Sequence, residues 1–249
     1  MNQTIKKLVY PLRKLAARFV EVDPPIAEGK IIFKAANIVA SERIEGDYLE
    51  FGVFAGHSFI DSYNVIKEVF AYHSKTHSGR AEEDLSRMTA IWENMRFFAF
   101  DSFQGLPELE GVDQRTSYFK KSEYASTENQ FRANLIKAGV SLNKVVTVAG
   151  WFEETCTEET IRKFGMRKAS IIHIDCDLFS STKVALEFIK PLLLDGTVII
   201  FDDWYCFRGN PRLGEAGAFN EWKEEMTDWS FVEYQKEGSS RNSFIASKN

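Results

Sequence analysis

The 249-residue chain is poor in cysteine, with only Cys156, Cys176 and Cys206 and no Cys-x-x-Cys spacing. An odd count without that spacing indicates neither a disulfide framework nor a zinc knuckle, and reduced thiols in a cytoplasm fit best. Long apolar runs are missing too. No stretch approaches the ~18 residues of a membrane span, and Pro11, Arg13 and Lys14 interrupt the N-terminal segment, so neither a transmembrane helix nor secretion is expected. Positive charge is not in excess. The 31 Lys and Arg face 36 Asp and Glu, a net charge of -5, which argues against a protein devoted to nucleic acid phosphates. Repeats, low-complexity tracts and Gly/Ser linkers are absent, leaving one full-sized domain with an ordinary globular mixture of 44% apolar and 27% charged residues.

What the chain does contain is alternation. Short apolar or aromatic runs at Tyr48 to Val53, Phe97 to Phe100, Val145 to Val148, Ile171 to Ile174 and Val198 to Phe201 read as strands. Segments with helical spacing lie around Phe59 to Tyr72, Ala81 to Glu93, Glu128 to Ala138, Glu158 to Phe164 and Thr182 to Leu194. This order predicts an α/β fold with a mainly parallel sheet and helices on both faces. Two more strand candidates, Trp229 to Tyr234 and Ser243 to Ala246, follow a helical Gly214 to Met226 and would bring the sheet to seven strands with an antiparallel edge. Helices are expected before Tyr48, including Pro24 to Ser41, so residues 1–45 form an N-terminal helical extension and 46–249 the main domain. Five basic and no acidic residues occur among the first 20, predicting a basic helix that packs on the domain or a second subunit, with a membrane surface as the alternative.

Ligands of open parallel sheets sit beyond the carboxyl ends of the strands, and the polar signals concentrate there. The first strand runs into Glu50 and the glycines Gly52 and Gly56, where missing side chains would admit a ligand or simply form a turn. Asp101 ends the second strand and would accept both hydroxyls of a ribose, or cap a turn. Phe103, Trp151 and Phe152 would flank a purine or belong to the core. The fourth strand leads into Asp175-Cys176-Asp177 and the fifth into Asp202-Asp203. Converging carboxylates without interspersed Lys or Arg favour a hard divalent cation such as Mg²⁺, with Asp175, Asp202 and Asp203 as ligand candidates. Asp177 would instead support the start of a helix at Ser180, Ser181 and Thr182, and His173 reads as a core histidine.

These motifs, Ile44 to Val53, Asp101-Ser102-Phe103-Gln104-Gly105-Leu106-Pro107, Gly150-Trp151-Phe152, Asp175 to Thr182 and Asp202-Asp203-Trp204, together resemble the macrocin O-methyltransferase family of the TylF/MycF type over about Gly46 to Trp222. The resemblance implies a Rossmann-like class I methyltransferase that uses S-adenosylmethionine and Mg²⁺ to methylate a hydroxyl of a small molecule, a sugar or glycoside. It is compatible with a homodimer or higher homo-oligomer. Carried over by motif, Glu50, Gly52, Val53, Gly56, Ser58, Asp101, Ser102, Gly150, Trp151 and Asp175 would contact the cofactor, and Asp175, Asp202 and Asp203 the metal. Phe179 and Ser180 replace the family's usual Tyr and Glu, Trp204 its Tyr, and Cys156-Thr157 its Leu-Pro. These changes leave the acceptor open, since its pocket would be built from Leu106 to Tyr124 and Tyr205 to Gly214.

A sugar hydroxyl is a poor acid, so the metal would lower its pKa and orient it, while Asp175, or next His57, takes the proton. The main alternative is a glycosyltransferase in which Asp175-Cys176-Asp177 holds Mn²⁺ on a nucleotide sugar; it leaves Glu50 to Gly56, Asp101 and Asp202-Asp203 without roles. A dehydrogenase, an Asp-x-Asp phosphatase and a non-enzymatic assembly module explain still less.

Overall fold

The computed structural model describes residues 30–75, 82–116 and 119–249. The basic helix expected in the first 20 residues lies outside them. Helices α1 (Ile31–Glu42), α2 (His57–Lys75), α3 (Glu82–Asn94), α4 (Glu128–Lys137), α5 (Phe152–Thr155), α6 (Glu158–Phe164), α7 (Phe179–Ile189) and α8 (Gly214–Glu225) surround one sheet. Its strands are β1 (Asp47–Phe51), β2 (Phe97–Asp101), β3 (Val145–Ala149), β4 (Ala169–Ile174), β5 (Val198–Phe201), β6 (Trp229–Glu237) and β7 (Arg241–Lys248), in the order β3-β2-β1-β4-β5-β7-β6. The first five pair in parallel, and β7 is inserted antiparallel between β5 and the edge strand β6.

The period-two geometry of strands divides the core between the two faces. Tyr48, Phe97, Ala99, Ile171, Val198 and Ile200 join α1, α2, α3 and α4 on one side. Leu49, Phe51, Phe98, Phe100, Ile172, Ile174, Ile199 and Phe201 meet α7 and α8 on the other. Because both faces are covered, β1, β2, β4 and β5 are buried throughout, which is why they read as mainly apolar runs. Among the described residues no helix is long and apolar enough to cross a membrane.

Two boundaries differ from expectation for local reasons. Helix α7 begins at Phe179 and gives way at Lys190 to a 3-10 turn, where Pro191 supplies no N–H to continue the α-helical ladder. Strands β6 and β7 run beyond the expected segments, to Glu237 and from Arg241, so the hairpin reaches the carboxyl end of β5. At the opposite end of the sheet, Arg96 donates from Nε (3.2 Å) and Nη2 (2.6 Å) to the buried Asp47 carboxylate. Its Nη1 reaches the Phe164 carbonyl at 2.6 Å, tying the starts of β1 and β2 to the end of α6.

Candidate active site

The parallel ladder continues past the strand ends: the N–H of Gly52 bonds Phe100 O (2.8 Å), that of Asp175 bonds Phe51 O (2.9 Å), and that of Asp202 bonds Ile174 O (3.0 Å). Those residues therefore open the loops beyond three adjacent strands, where a cavity of about 670 Å³ lies. Its wall includes Gly52, Val53, His57, Ser58, Asp101, Ser102, Trp151, Phe152, Asp175, Asp202 and Asp203. Three of the bordering loops each hold a non-glycine residue in the left-handed region, Phe54 (φ 46°), Phe103 (φ 55°) and Asp177 (φ 61°). Such backbone is costly for a residue with a Cβ and is characteristic of binding loops.

The glycines meet a requirement of internal packing. A Cβ on Gly52 (φ 90°) would stand 1.8 Å from the Asp175 carbonyl oxygen, and one on Gly56 (φ 90°) would stand 2.8 Å from the Phe131 ring. Both residues let the protein's own parts approach one another. Gly150 is similar, its missing Cβ leaving room for Thr155. Glu50, Gly56 and Gly150 stand behind the described cavity wall rather than in it.

Glu50 is fully buried and spoken for: Ser58 Oγ donates to Oε1 at 2.6 Å, Tyr48 Oη donates to Oε2, and His173 Nδ1 lies 3.6 Å from Oε2. Asp101 is occupied as well. Its Oδ2 accepts the backbone N–H groups of Val53 (2.8 Å) and Phe54 (2.7 Å), and Oδ1 accepts that of Phe103 (2.7 Å). With two acceptor directions per carboxylate oxygen, these bonds fill Oδ2 and leave one acceptor direction on Oδ1. Burial raises the Asp101 pKa despite these three donors. Ser102 braces the same loop, donating to Gly105 O (3.1 Å) and accepting from the Gln104 N–H (3.0 Å). Phe103 packs with Phe131 in the core, whereas Trp151 and Phe152 reach the cavity.

The acids of β4 and β5 form a coupled cluster. Atoms of ligand type from His173, Asp175 and Asp202 lie within 4.8 Å of one another. Thus His173, expected in the core, joins two of the expected ligands, while Asp203 turns to Asp177 and to Cys206, whose Sγ donates to its Oδ1 at 3.0 Å. Burial and the neighbouring Asp202 hold the Asp175 carboxyl well above its ordinary range. Burial, a hydrogen bond to Asp203 and that residue's charge push Asp177 up to about 11. For Asp202, burial is outweighed by His173 and Arg241, and its pKa is lowered. His173 is raised because Asp202 and Glu50 outweigh burial. A donor set of carboxylate oxygens crowded until they resist ionisation fits a hard dication.

Three residues that sequence reading missed organise this cluster. Glu215 of α8, fully buried, accepts the N–H of Asp203 at 2.9 Å and of Cys176 at 3.4 Å, joining the two acidic loops. Asp113 accepts the N–H groups of Phe179 (2.8 Å) and Ser180 (3.1 Å), so it caps α7 in place of the local serines and Asp177. Arg241 donates from Nε to Asp202 Oδ1 at 2.5 Å. Above the acids, the two loops expected to carry the acceptor meet in a small separate core of Leu106, Phe119, Leu178, Phe207 and Leu213.

The profile of the macrocin O-methyltransferase (TylF) family matches residues 87–225, more than half of the chain, beginning after the Glu50–Gly56 loop. One curated relative, the 8-demethyl-8-(2,3-dimethoxy-alpha-L-rhamnosyl)-tetracenomycin-C 4'-O-methyltransferase of Streptomyces olivaceus, is 28% identical over 171 residues. That alignment covers 67% of this chain and 56% of the relative, so the chain spans little more than half the relative's length. Among solved structures, the O-methyltransferase NovP aligns with a TM-score of 0.62 at 18% identity, covering 87% of this chain and 78% of its own. The calicheamicin methyltransferase CalS11 aligns at 0.57, also at 18% identity, over 86% and 76%. At such identities the likeness establishes the Rossmann-like class I methyltransferase fold, and the profile match adds the lineage: the chain belongs to the macrocin O-methyltransferase (TylF) family.

Proposed function

We propose that the chain transfers the methyl group of S-adenosylmethionine to a hydroxyl of a sugar or glycosylated natural product, with Mg²⁺ held at the acidic cluster. The observation that carries this reading is that one cavity is lined both by Val53, Asp101 and Trp151 and by Asp175, Asp202 and Asp203. Donor and acceptor sites would therefore share one space. Family membership supports the reaction class, and the relative's name, with its rhamnosyl group, supports the acceptor class.

On this reading Gly52, Val53, Ser58, Asp101, Ser102 and Trp151 seat the cofactor, while Glu50, Gly56 and Gly150 shape that seat from behind. Asp175, Asp202 and Asp203 would hold the metal, which when bound supplies charge neutralisation and polarises an acceptor oxygen. The cofactor supplies an electrophilic methyl on a sulfonium. On transfer of that methyl to the acceptor oxygen, with the sulfur keeping the bonding pair, the hydroxyl proton would pass to the protein. Asp175 lines the cavity beside Asp202 and is the first choice for that base; His57, exposed at the start of α2, is the second. The left-handed Phe54 and Tyr124, both exposed and with rings 6.1 Å apart, border the same space on its solvent side.

The test is calorimetric titration with S-adenosylmethionine and with a UDP-sugar, each with and without Mg²⁺, followed by incubation with candidate glycosides and mass spectrometry. Binding of the methyl donor and a gain of one methyl on a glycoside are expected. Binding of the UDP-sugar alone would transfer the assignment to a glycosyltransferase using Asp175-Cys176-Asp177. Full activity with divalent metal chelated would remove Mg²⁺ from the mechanism.

A further inference from the structure

Asp202 Oδ1 is already shared by two donors of the protein's own. Arg241 Nε lies at 2.5 Å and His173 Nε2 at 3.3 Å. A carboxylate oxygen offers two acceptor directions, so a cation can use this one only by displacing a donor. His173 is locked in the sheet with a side chain 7% exposed, whereas that of Arg241 is 35% exposed and itself lines the cavity. Arg241 is therefore the donor able to leave. A second carboxylate is ready for it: Arg241 Nη1 is 3.2 Å from Glu237 Oε1, and the Ile31 N–H fixes the other oxygen of Glu237 at 2.5 Å. The guanidinium thus bridges a site acid and an acid outside the cavity wall, on the hairpin that inserts β7 beside β5.

We infer that Arg241 is a built-in counter-cation that competes with the divalent metal for Asp202 and is handed to Glu237 when metal binds. This rests on the metal reading above and adds to it a residue that sets metal affinity. Two like charges cannot share one oxygen at contact distance without a large penalty, so the guanidinium keeps the acids paired while the site lacks metal and weakens metal binding by the same interaction. Arg241 acts through Asp202 and is a positioning residue.

The experiment measures Mn²⁺ affinity by the loss of free-ion paramagnetic resonance signal for the unaltered full chain, Arg241→Gln and Arg241→Lys. Arg241→Gln should bind Mn²⁺ at least about tenfold more tightly, and Arg241→Lys, which keeps the charge, within about threefold of the unaltered protein. Tightening is a result that structural damage does not produce. Equal or weaker binding by Arg241→Gln would overturn the inference while leaving the metal site standing. No Mn²⁺ binding by any of the three, with S-adenosylmethionine still bound, would overturn the metal reading and this inference with it. If Arg241→Gln fails to fold, the Arg241 Nε–H resonance of the unaltered protein decides: it should shift on saturation with Mg²⁺, and an unchanged signal would refute the handover.

Discussion

Gly52 and Asp175 are in backbone contact, close enough that a methyl group on the first would overlap the carbonyl oxygen of the second. The contact pins the loop after β1 to the acid after β4. Gly52→Ala should therefore combine the clash with an unfavourable positive φ and destabilise the protein by at least about 3 kcal/mol, visible in urea denaturation. A variant of unaltered stability would mean that the loop has room this geometry denies.

The cap supplied by Asp113 gives a second expectation. Asp113→Ala strands two N–H groups at the start of α7, a cost of about 2 kcal/mol. Because the cap also anchors the segment around Leu109 and Val112 to the small third core, the loss should bring faster proteolysis of the 106–124 loop. Limited proteolysis with mass mapping checks both effects.

The acidic cluster predicts a pH dependence of stability in the absence of divalent metal. Asp175, Asp177 and Glu215 have pKa values raised by burial first and by neighbouring acids next, Asp202 for the first and Asp203 for the other two. The folded state therefore holds protons that the unfolded chain releases above the ordinary carboxylate range, and stability falls as pH rises, for Asp177 up to about 11. His173, also raised, contributes in the same direction above its unfolded value. Asp202, lowered, contributes the opposite slope only in acid. Thermal melts should thus decline from about pH 5 to about pH 9, and Glu215→Gln or added Mg²⁺ should flatten the decline. A rising or level curve without metal would contradict the cluster.

On the proposed reading, Trp151 offers the simplest probe of the cofactor end. Trp151→Ala should weaken S-adenosylmethionine binding about tenfold by removing an aromatic wall, with little change in folding stability. Calorimetry measures the first and denaturation the second. Unchanged affinity would move the adenine elsewhere in the cavity.

Much of this architecture was legible in the sequence because parallel strands buried on two faces are largely apolar, as Tyr48 to Phe51, Ile171 to Ile174 and Val198 to Phe201 are apart from Glu50 and His173. The acids beyond those strands were legible for the same reason, each standing where an apolar run stops. Asp113, Glu215 and Arg241 were not, since each acts across long stretches of chain; Asp113 caps a helix 66 residues away. Nor can spacing reveal that Gly52 faces a carbonyl and Gly56 a ring, because a glycine has the same letter whether it makes space for ligand or for the protein itself. His173 illustrates the limit differently. Its strand position made it a core residue, and it is buried, yet register places it opposite Glu50 on β1, with Asp202 following β5 on its other side.

The miniature hydrophobic nucleus shared by Leu106, Phe119, Leu178, Phe207 and Leu213 has a practical corollary for engineering. One of its members, Leu178, sits immediately after Asp177, so the roof of the cavity and its charged floor are mechanically joined. Transplanting either roof segment from a sister enzyme by itself would leave mismatched knobs and holes above the acids; if these loops carry the acceptor, as proposed, 106–124 and 205–214 would have to be swapped as a matched pair.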